Sequence, residues 1–305
     1  MNDDNWDDRL GVTPYFIANE FPPPSATVQV EFGAHSRPGR MRTINDDHYM
    51  IIQLGRHQET LRTSLSDELI TGRFDEYGYA LVVADGLGPG RSGGHASHLA
   101  IATLVYLVRN FAKWNLRIDG PIAREIMMRA ERFYRHVDST VVHERRTGAQ
   151  AIEQTTLTAT FGAGRDLFFA HVGHSRAYLF RDDRLMRLTR DHTIGKNGTS
   201  VVSTAPLVDV NAVARDLRHI LTNTIGMKGS TGPRIDLVQL KLADGDRVLV
   251  CTNGLTDAVD ELIIAEILAT QQTPDEQCRA LVDLATAAGA EDDATALVAH
   301  YRIPS

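Results

Sequence analysis

Between residues 167 and 188 the sequence holds three strand-like apolar segments with almost no chain between them. The segments cover residues 167–172, 177–181 and 185–188, and the links are residues 173–176 and 182–184. A parallel connection needs about a dozen residues or more, so links this short predict antiparallel hairpins. This stretch therefore disfavours a parallel, doubly wound sheet.

The rest of the chain alternates between strand patterns and a few long helices. Strand patterns also occupy residues 27–32, 48–54, 79–84, 156–161, 235–242, 247–251 and 294–301. Helical periodicity occurs at residues 95–113 and 121–144, and again at 259–270 and 274–288. Runs of strands with separate helix pairs predict an α+β fold, a central β-sandwich of two antiparallel sheets flanked by pairs of α-helices in four layers, α-β-β-α.

The N-terminal residues differ in character from the rest of the chain. Residues 1–25 carry four aspartates and three consecutive prolines, a composition typical of an arm that leads into a first strand. The 305 residues, 43% of them hydrophobic, provide enough apolar material for a large core. We predict an N-terminal arm over residues 1–25 and one domain over residues 26–305.

Charge and cysteine content exclude several classes of protein. A formal net charge of -7 argues against a nucleic-acid partner, because phosphate backbones are bound mainly by excess Lys and Arg. Two cysteines, Cys251 and Cys278, form neither a disulfide framework nor a cysteine zinc motif. The N-terminus is acidic, and the best apolar stretch, residues 99–108, is too short to cross a bilayer. We expect a cytoplasmic protein with no membrane partner.

Four acidic turns stand directly beside predicted strands. They are Asn45-Asp46-Asp47, Asp85-Gly86-Leu87-Gly88, Asn253-Gly254-Leu255-Thr256-Asp257 and Glu291-Asp292-Asp293. Any one of them is best explained as an ordinary turn, since Asp-Gly and Asn-Gly are common turn dipeptides. Their recurrence at strand ends is different, because one edge of a sandwich can bring the carboxylates together. Each pair of unit charges in contact would then repel by about 1–4 kcal/mol.

A bound cation would remove that repulsion. Oxygen ligands without a cysteine or histidine cluster favour Mg²⁺ or Mn²⁺ over zinc. Two such ions sharing Asp85 could activate a bridging water as a nucleophile. Phosphoryl transfer suits this arrangement, and Arg42, just ahead of Asp46 and Asp47, is the candidate phosphate clamp. Taken alone, Arg42 is better explained as a solvated surface charge.

In their order, these motifs resemble the metal-dependent protein phosphatase 2C family, over about residues 26–303. The segments that carry the resemblance are Arg42-Thr43-Ile44-Asn45-Asp46-Asp47, Val82-Val83-Ala84-Asp85-Gly86-Leu87-Gly88, Gly93-Gly94-His95-Ala96-Ser97, Thr155-Thr156-Leu157, His171-Val172-Gly173-His174-Ser175-Arg176-Ala177-Tyr178, Leu188-Thr189-Arg190-Asp191-His192, Asp244-Gly245-Asp246-Arg247-Val248-Leu249 and Asp292-Asp293-Ala294-Thr295. Each is weak by itself, whereas the ordered set is specific.

The resemblance implies hydrolysis of phosphoserine and phosphothreonine in proteins that a Ser/Thr kinase has phosphorylated. The nucleophile would be a water that two Mn²⁺ or Mg²⁺ ions activate. The resemblance implies that Arg42 binds the phosphate and that Asp85 bridges both metals. It also implies metal-site roles for Asp46, Asp47, the carbonyl of Gly86, Asn253 and Asp292. In the pair Asp292-Asp293, Asp293 replaces the family's asparagine.

Two departures from the family pattern concern one corner of the site. Asn253 stands where the family has a metal-binding aspartate, so a charged ligand becomes a neutral amide. His174 stands where the family has an aspartate associated with a weaker third metal. We assign that third position to His174 and Asp257. The alternative function is a degenerate phosphatase fold that binds phosphoproteins or partners without efficient catalysis.

A rival enzyme class and two unassigned segments remain. Residues 173–177 resemble the Gly-x-Ser-x-Gly elbow of esterases, with Ser175 as nucleophile, but that elbow must lead from a strand into a helix. Residues 178–180 instead look like another strand. Residues 56–76 and 196–216 are treated as insertions whose structure the pattern does not predict.

Overall fold

The computed structural model describes residues 28–65, 73–88, 92–113, 117–147, 153–194, 220–227 and 232–303. The strands in these ranges are β1 (Gln29–Arg37), β2 (His48–Glu59), β3 (Arg73–Ala84), β4 (Gly86–Leu87), β5 (Gln154–Thr155), β6 (Leu157–Ala163), β7 (Asp166–Val172), β8 (Arg176–Arg181), β9 (Arg184–Arg187), β10 (Asp236–Lys241), β11 (Arg247–Cys251) and β12 (Ala294–Arg302). The helices are α1 (Ser92–Phe111), α2 (Gly120–Thr147), α3 (Asn253–Ala258), α4 (Glu261–Ala269) and α5 (Pro274–Ala287).

Two five-stranded sheets form the centre of the fold. Sheet I has the strand order β1-β12-β11-β8-β9, and sheet II has the order β10-β7-β6-β3-β2. All pairings in both sheets are antiparallel. The short strands β4 and β5 make a separate pair. The predicted α+β sandwich is confirmed.

Alternation of side chains along the strands builds three apolar layers. In β3, Leu81 and Val83 pack between the two sheets, whereas Val82 and Ala84 face α1 and α2. Strand β11 alternates in the same way between the middle layer and the layer under α3, α4 and α5. Each fully buried aliphatic side chain of this kind stabilises the fold by about 1.5–3 kcal/mol. Helices therefore cover both outer faces of the sandwich.

One link was predicted wrongly. The residues between β7 and β8 do not form a hairpin, because β7 lies in sheet II and β8 in sheet I. The chain passes between sheets through Gly173, whose φ is +119° and whose Cβ, if present, would lie 2.5 Å from Thr156 Cβ. A sheet-to-sheet crossing can thus be as short as a hairpin. The link between β8 and β9 is a hairpin, as predicted.

Other differences concern the lengths of elements. The two ends of the 56–76 segment are no insertion, because residues 56–59 and 73–76 extend the pairing of β2 with β3. The short helix α3 was missed, since its sequence was taken for a turn. Residues 1–25, 66–72 and 196–216 lie outside the described ranges. Within the described ranges, no helix combines the length and the apolar composition of a membrane span.

Candidate metal centre

The acidic turns lie at one end of the sandwich, at the ends of strands from both sheets. Asp46 and Asp47 immediately precede β2, and Asp85 immediately follows β3 in the same sheet. From sheet I, Asn253 comes just after β11, and Asp292 comes just before β12. Antiparallel pairing puts the start of β2 beside the end of β3, and the end of β11 beside the start of β12. A hydrogen bond from Thr252 to Asp47 joins these two sheet ends.

Arg42 joins two of the candidate ligands. Its Nη1 donates to Asp46 Oδ2 at 3.2 Å, and its Nη2 donates to Asp292 Oδ1 at 2.9 Å. The side chain of Asp46 is 3% exposed and that of Asp292 is 31% exposed. The guanidinium is thereby held at the border between the buried carboxylates and solvent.

Asp47 is held by two threonine hydroxyls. Thr295 Oγ1 donates to Asp47 Oδ2 at 2.6 Å, and Thr252 Oγ1 donates to the same oxygen at 2.8 Å. The other oxygen, Asp47 Oδ1, is buried without a hydrogen-bond partner in the described structure. Burial, and secondarily the charge of Asp85, raises the pKa of Asp47 well above its usual value.

Asp85 is fixed through its main chain, which leaves its carboxylate facing the centre. Its N–H donates to Thr156 Oγ1 at 3.0 Å, and its carbonyl accepts from Thr155 Oγ1 at 2.8 Å. His174 Nδ1 lies 3.6 Å from Asp85 Oδ2. Burial, followed by the like charges of Asp292 and Asp293, raises the pKa of Asp85 well above its usual value. A carboxylate in these surroundings favours a positive neighbour.

The amide of Asn253 has a defined orientation. Its Nδ2 donates to Asp257 Oδ2 at 3.1 Å. An ionised carboxylate can only accept a hydrogen bond, so the Asn253 atom that faces Asp257 must be the NH₂ group. The amide oxygen of Asn253 is then its other terminal atom. That oxygen, Asn253 Oδ1, is buried and has no hydrogen-bond partner in the described ranges. Asn253 therefore offers a neutral oxygen, and Asp257 lies directly behind it.

Asp293 has a structural role that its sequence position did not reveal. Its Oδ1 accepts from the Gly39 N–H at 2.9 Å, and its Oδ2 accepts from the Asp46 N–H at 2.7 Å. Ser97 Oγ, on α1, donates to the Asp46 carbonyl at 2.6 Å. Both side chains fix the loop that carries Asp46. The only signal in the sequence was their position inside or beside the recognised motifs.

Glycines let the first turn of α1 approach the acidic loop. A Cβ on Gly86 would lie 2.4 Å from the main-chain carbon of Gly93, and one on Gly94 would lie 2.5 Å from Asp46 Oδ1. Neither contact could exist with a side chain present. The Gly86 main chain is thereby held against the same carboxylate loop.

The donor set can be tested for its fit to a metal. Asp47 Oδ1, Asp85 Oδ2 and Asn253 Oδ1 are all buried and lack hydrogen-bond partners in the described ranges. Such orphan oxygens are costly unless something outside the chain satisfies them. Oxygen donors with several negative charges suit a hard divalent cation such as Mg²⁺ or Mn²⁺. The residues present therefore fit the expected metal.

The candidate ligands do not converge on a single point. Across the described ranges, no three Asp, Glu, His or Cys side chains are grouped closely enough to hold a metal by themselves. Two expected donors are of other kinds, namely the Asn253 amide and the Gly86 carbonyl. Arg42 also engages Asp46 and Asp292 directly. The arrangement is an open set of oxygens with a guanidinium at its edge.

The surroundings of Ser175 exclude the esterase elbow. Ser175 is fully buried, and its Oγ pairs with Thr156 Oγ1 at 2.9 Å. It lies between two strands, β7 and β8, rather than between a strand and a helix. Its hydroxyl thus pairs with another hydroxyl, not with a base. Ser175 supports the Asp85 loop through Thr156.

The chain is similar in sequence to known proteins. The family model described as protein phosphatase 2C matches residues 55–288. The serine/threonine phosphatase stp of Listeria innocua is 27% identical over 232 residues, which cover 73% of this chain and 84% of that protein. The serine/threonine protein phosphatase PstP of Mycobacterium tuberculosis is 30% identical over 224 residues, covering 72% of this chain and 40% of PstP.

A solved structure shows the same fold. The catalytic domain of the serine/threonine protein phosphatase PstP, in complex with 2 manganese ions, superposes with a TM-score of 0.63 at 25% sequence identity. The match covers 90% of this chain and 100% of that one. The chain thus resembles these proteins over the sandwich and both helical layers.

Proposed function

The chain belongs to the protein phosphatase 2C family, and from that premise we propose that it hydrolyses phosphoserine and phosphothreonine in proteins with two Mn²⁺ or Mg²⁺ ions. The observation that carries the proposal is the set of buried, unpartnered oxygens of Asp47, Asp85 and Asn253 at one end of the sandwich. Phosphate-ester hydrolysis is a reaction that such an oxygen-lined cation site can perform.

Asp85 is the ligand that both ions share in this proposal. At the end of β3, burial and the charges of Asp292, Asp293 and Asp257 raise the pKa of Asp85, so a cation beside it is favoured. Asp46, Asp47, the Gly86 carbonyl, Asn253 and Asp292 complete the two positions. When bound, divalent cations neutralise phosphate oxygens and lower the pKa of water enough to supply hydroxide near neutral pH.

Arg42 is proposed to bind the substrate phosphate. A guanidinium offers parallel N–H donors that match two phosphate oxygens, which a lysine ammonium does not. Asp46 and Asp292 already hold the Arg42 side chain beside the centre, so little side-chain freedom is lost when phosphate binds. Arg42 thereby orients the phosphate relative to Asp85.

His174 and Asp257 are proposed for a weaker third cation. Asp257 lies behind the Asn253 amide, and His174 lies beside Asp85, so both adjoin the two-cation site. One imidazole and one carboxylate give this third position less negative charge than the two cation positions beside Asp85 have. Its affinity for a hard cation should therefore be lower.

The degenerate alternative is not favoured. Asn253 keeps a buried oxygen directed away from Asp257, so the amide still provides a donor atom in place of a carboxylate. The physiological substrates are proposed to be phosphoproteins made by a Ser/Thr kinase, and the proposed location is the cytoplasm. Two buried free thiols, Cys251 and Cys278, support a reducing compartment.

The test is hydrolysis of p-nitrophenyl phosphate and of a phosphothreonine peptide, each with Mn²⁺, Mg²⁺ or EDTA. Parent protein, Arg42→Ala and Arg42→Lys are compared. We expect metal-dependent turnover in the parent, and a loss in Arg42→Ala that Arg42→Lys restores only in part. Turnover that persists in EDTA, or none with either metal, would refute the proposal.

A further inference from the structure

A cleft opens beside Arg42 and leads away from the metal centre. Its volume is about 540 Å³, and it shares Arg42, Asn253 and Asp292 with the centre. From there it extends between α3 and the turn at residues 288–292. A phosphate held by Arg42 would therefore have open space beside it for the neighbouring part of its substrate.

Small residues line one part of this cleft. Ala258, Ala288, Gly289 and Ala290 line it between α3 and the turn. Gly289 has φ +81°, and a Cβ placed on it would meet no atom within 4 Å. An extended peptide can thus approach the main chain here without meeting a long side chain.

The loop that carries Arg42 is tied to the turn at residues 288–292. The Arg40 N–H donates to the Ala290 carbonyl at 2.8 Å, and the Gly39 N–H donates to Asp293 Oδ1 at 2.9 Å. A Cβ on Gly39 would lie 2.3 Å from the Glu291 carbonyl oxygen, so the two turns are in close contact. Met41 stands on this joined rim and is 71% exposed. The cleft is therefore preformed, with an apolar side chain at its entrance.

Charge distinguishes one rim residue from the others. Asp292 pairs with Arg42, and Asp257 accepts from Asn253. Glu291 is exposed, and in the described part of the chain its carboxylate has neither a hydrogen bond nor an ion pair. Since Asp292 and Asp257 are assigned to cation positions, Glu291 is the acidic side chain of this cleft that is left for a peptide.

We propose that this cleft binds the substrate residues that flank the phosphorylated serine or threonine, and that Glu291 makes it select basic side chains there. The inference rests on the proposed function and adds a substrate preference to it. An Arg or Lys in the cleft would lay its aliphatic stem along Met41 and present its charge to Glu291. The small residues of the cleft leave room for the peptide main chain.

The experiment uses three phosphothreonine peptides of equal length, flanked on both sides by arginine, alanine or glutamate. For the parent protein with Mn²⁺, we expect kcat/KM to be about fivefold higher for the arginine peptide than for the alanine peptide. Glu291→Lys should invert the preference towards the glutamate peptide. Met41→Ala should raise KM for the arginine peptide more than for the alanine peptide.

Glu266→Lys is the matched control, since Glu266 is an exposed glutamate on α4 that does not line the cleft. It should leave the order of the three peptides unchanged. Equal kcat/KM for all three, or the same change in Glu266→Lys as in Glu291→Lys, would overturn the inference. p-Nitrophenyl phosphate has no flanking residues, so failure to hydrolyse it would instead refute the proposed function.

Discussion

Asp246 and Asp85 are almost equally buried, at 0% and 2% exposure, but their carboxylates have opposite surroundings. Asp246 accepts from Arg181 Nε at 2.7 Å and Nη2 at 2.6 Å, and also from the Ala243 N–H at 2.8 Å. Asp85 Oδ2 has no hydrogen-bond partner in the described structure, and burial and nearby carboxylates raise its pKa. One buried charge is satisfied by the chain and the other is not.

The contrast indicates where an external charge is needed. A buried carboxylate is tolerated when donors satisfy it and is costly when they do not. Asp191 is treated like Asp246, because Arg176 Nη2 donates to it at 2.9 Å. Buried aspartates elsewhere in the fold are therefore paired with arginine. One oxygen each of Asp47 and Asp85 lacks a hydrogen-bond partner in the described structure, as expected for ligands of a cation.

The largest expected effect comes from Asp85→Asn, which removes the charge shared by both proposed cations. Mn²⁺-dependent hydrolysis of p-nitrophenyl phosphate should fall by more than about 100-fold. The metal-free protein should unfold at the same or a higher temperature, because a neutral amide relieves repulsion from Asp292 and Asp293. Steady-state assays and thermal melts in EDTA measure both. Near-parental activity would remove Asp85 from the site.

Asp246→Ala should lower the stability of the fold and leave the activity intact. It removes the acceptor of Arg181 Nε and of the Ala243 N–H, and leaves Arg181 Nη2 only the Lys241 carbonyl, so the free energy of unfolding should fall by about 3 kcal/mol. The rate per folded molecule should stay near that of the parent. Asp283→Ala is the control, because its pair with Arg37 is half exposed and should contribute under about 1 kcal/mol. Urea unfolding in EDTA compares the two, and equal losses would contradict the prediction.

Asn253→Asp adds a negative charge beside the open oxygens of Asp47 and Asp85. We expect the apparent affinity for Mn²⁺ to rise about tenfold, since affinity follows ligand charge. The metal-free protein should lose about 1 kcal/mol, because the hydrogen bond to Asp257 is replaced by a like-charge contact. Mn²⁺ titration of activity and of melting temperature tests both signs. Weaker Mn²⁺ binding would show that position 253 does not contact the cation.

The smallest effect concerns a buried histidine away from the centre. Burial lowers the pKa of His171 to about 3, so the folded state keeps it neutral while the unfolded chain is protonated below about pH 6.5. His171 should therefore destabilise the fold progressively as pH falls from 7, by about 1 kcal/mol at pH 5.5. Urea unfolding of parent and His171→Gln at both pH values isolates this contribution. A difference that does not change with pH would contradict it.

Periodicity was sufficient to predict the layers of the fold. Residues 247–251 were predicted as a strand with the bounds of β11, and the four long helices were each located to within a few residues. The hairpin predicted at residues 173–175 was wrong, because the length of a link alone does not distinguish a hairpin from a crossing between facing sheets. Helix α3 was missed because Asn253-Gly254 has the composition of a turn.

Part of the candidate site could be predicted from the sequence, and part could not. Aspartates beside strand ends could be identified from sequence, since chain position alone puts them near a common edge. The contacts of Asp293, Thr252 and Thr295 could not, because they depend on side chains more than 200 residues apart along the chain meeting in space. The metal-site roles of Arg42 and the acidic residues stay predictions.

The decisive measurement is the number of Mn²⁺ ions bound per chain, determined by equilibrium dialysis for the parent and for Asp85→Asn. If the open oxygens of Asp47, Asp85 and Asn253 hold the catalytic cations, the parent should bind at least two ions and Asp85→Asn should bind neither tightly. Parent protein that hydrolyses phosphate esters with one ion or none, or Asp85→Asn that retains both, would contradict this role of the open oxygens.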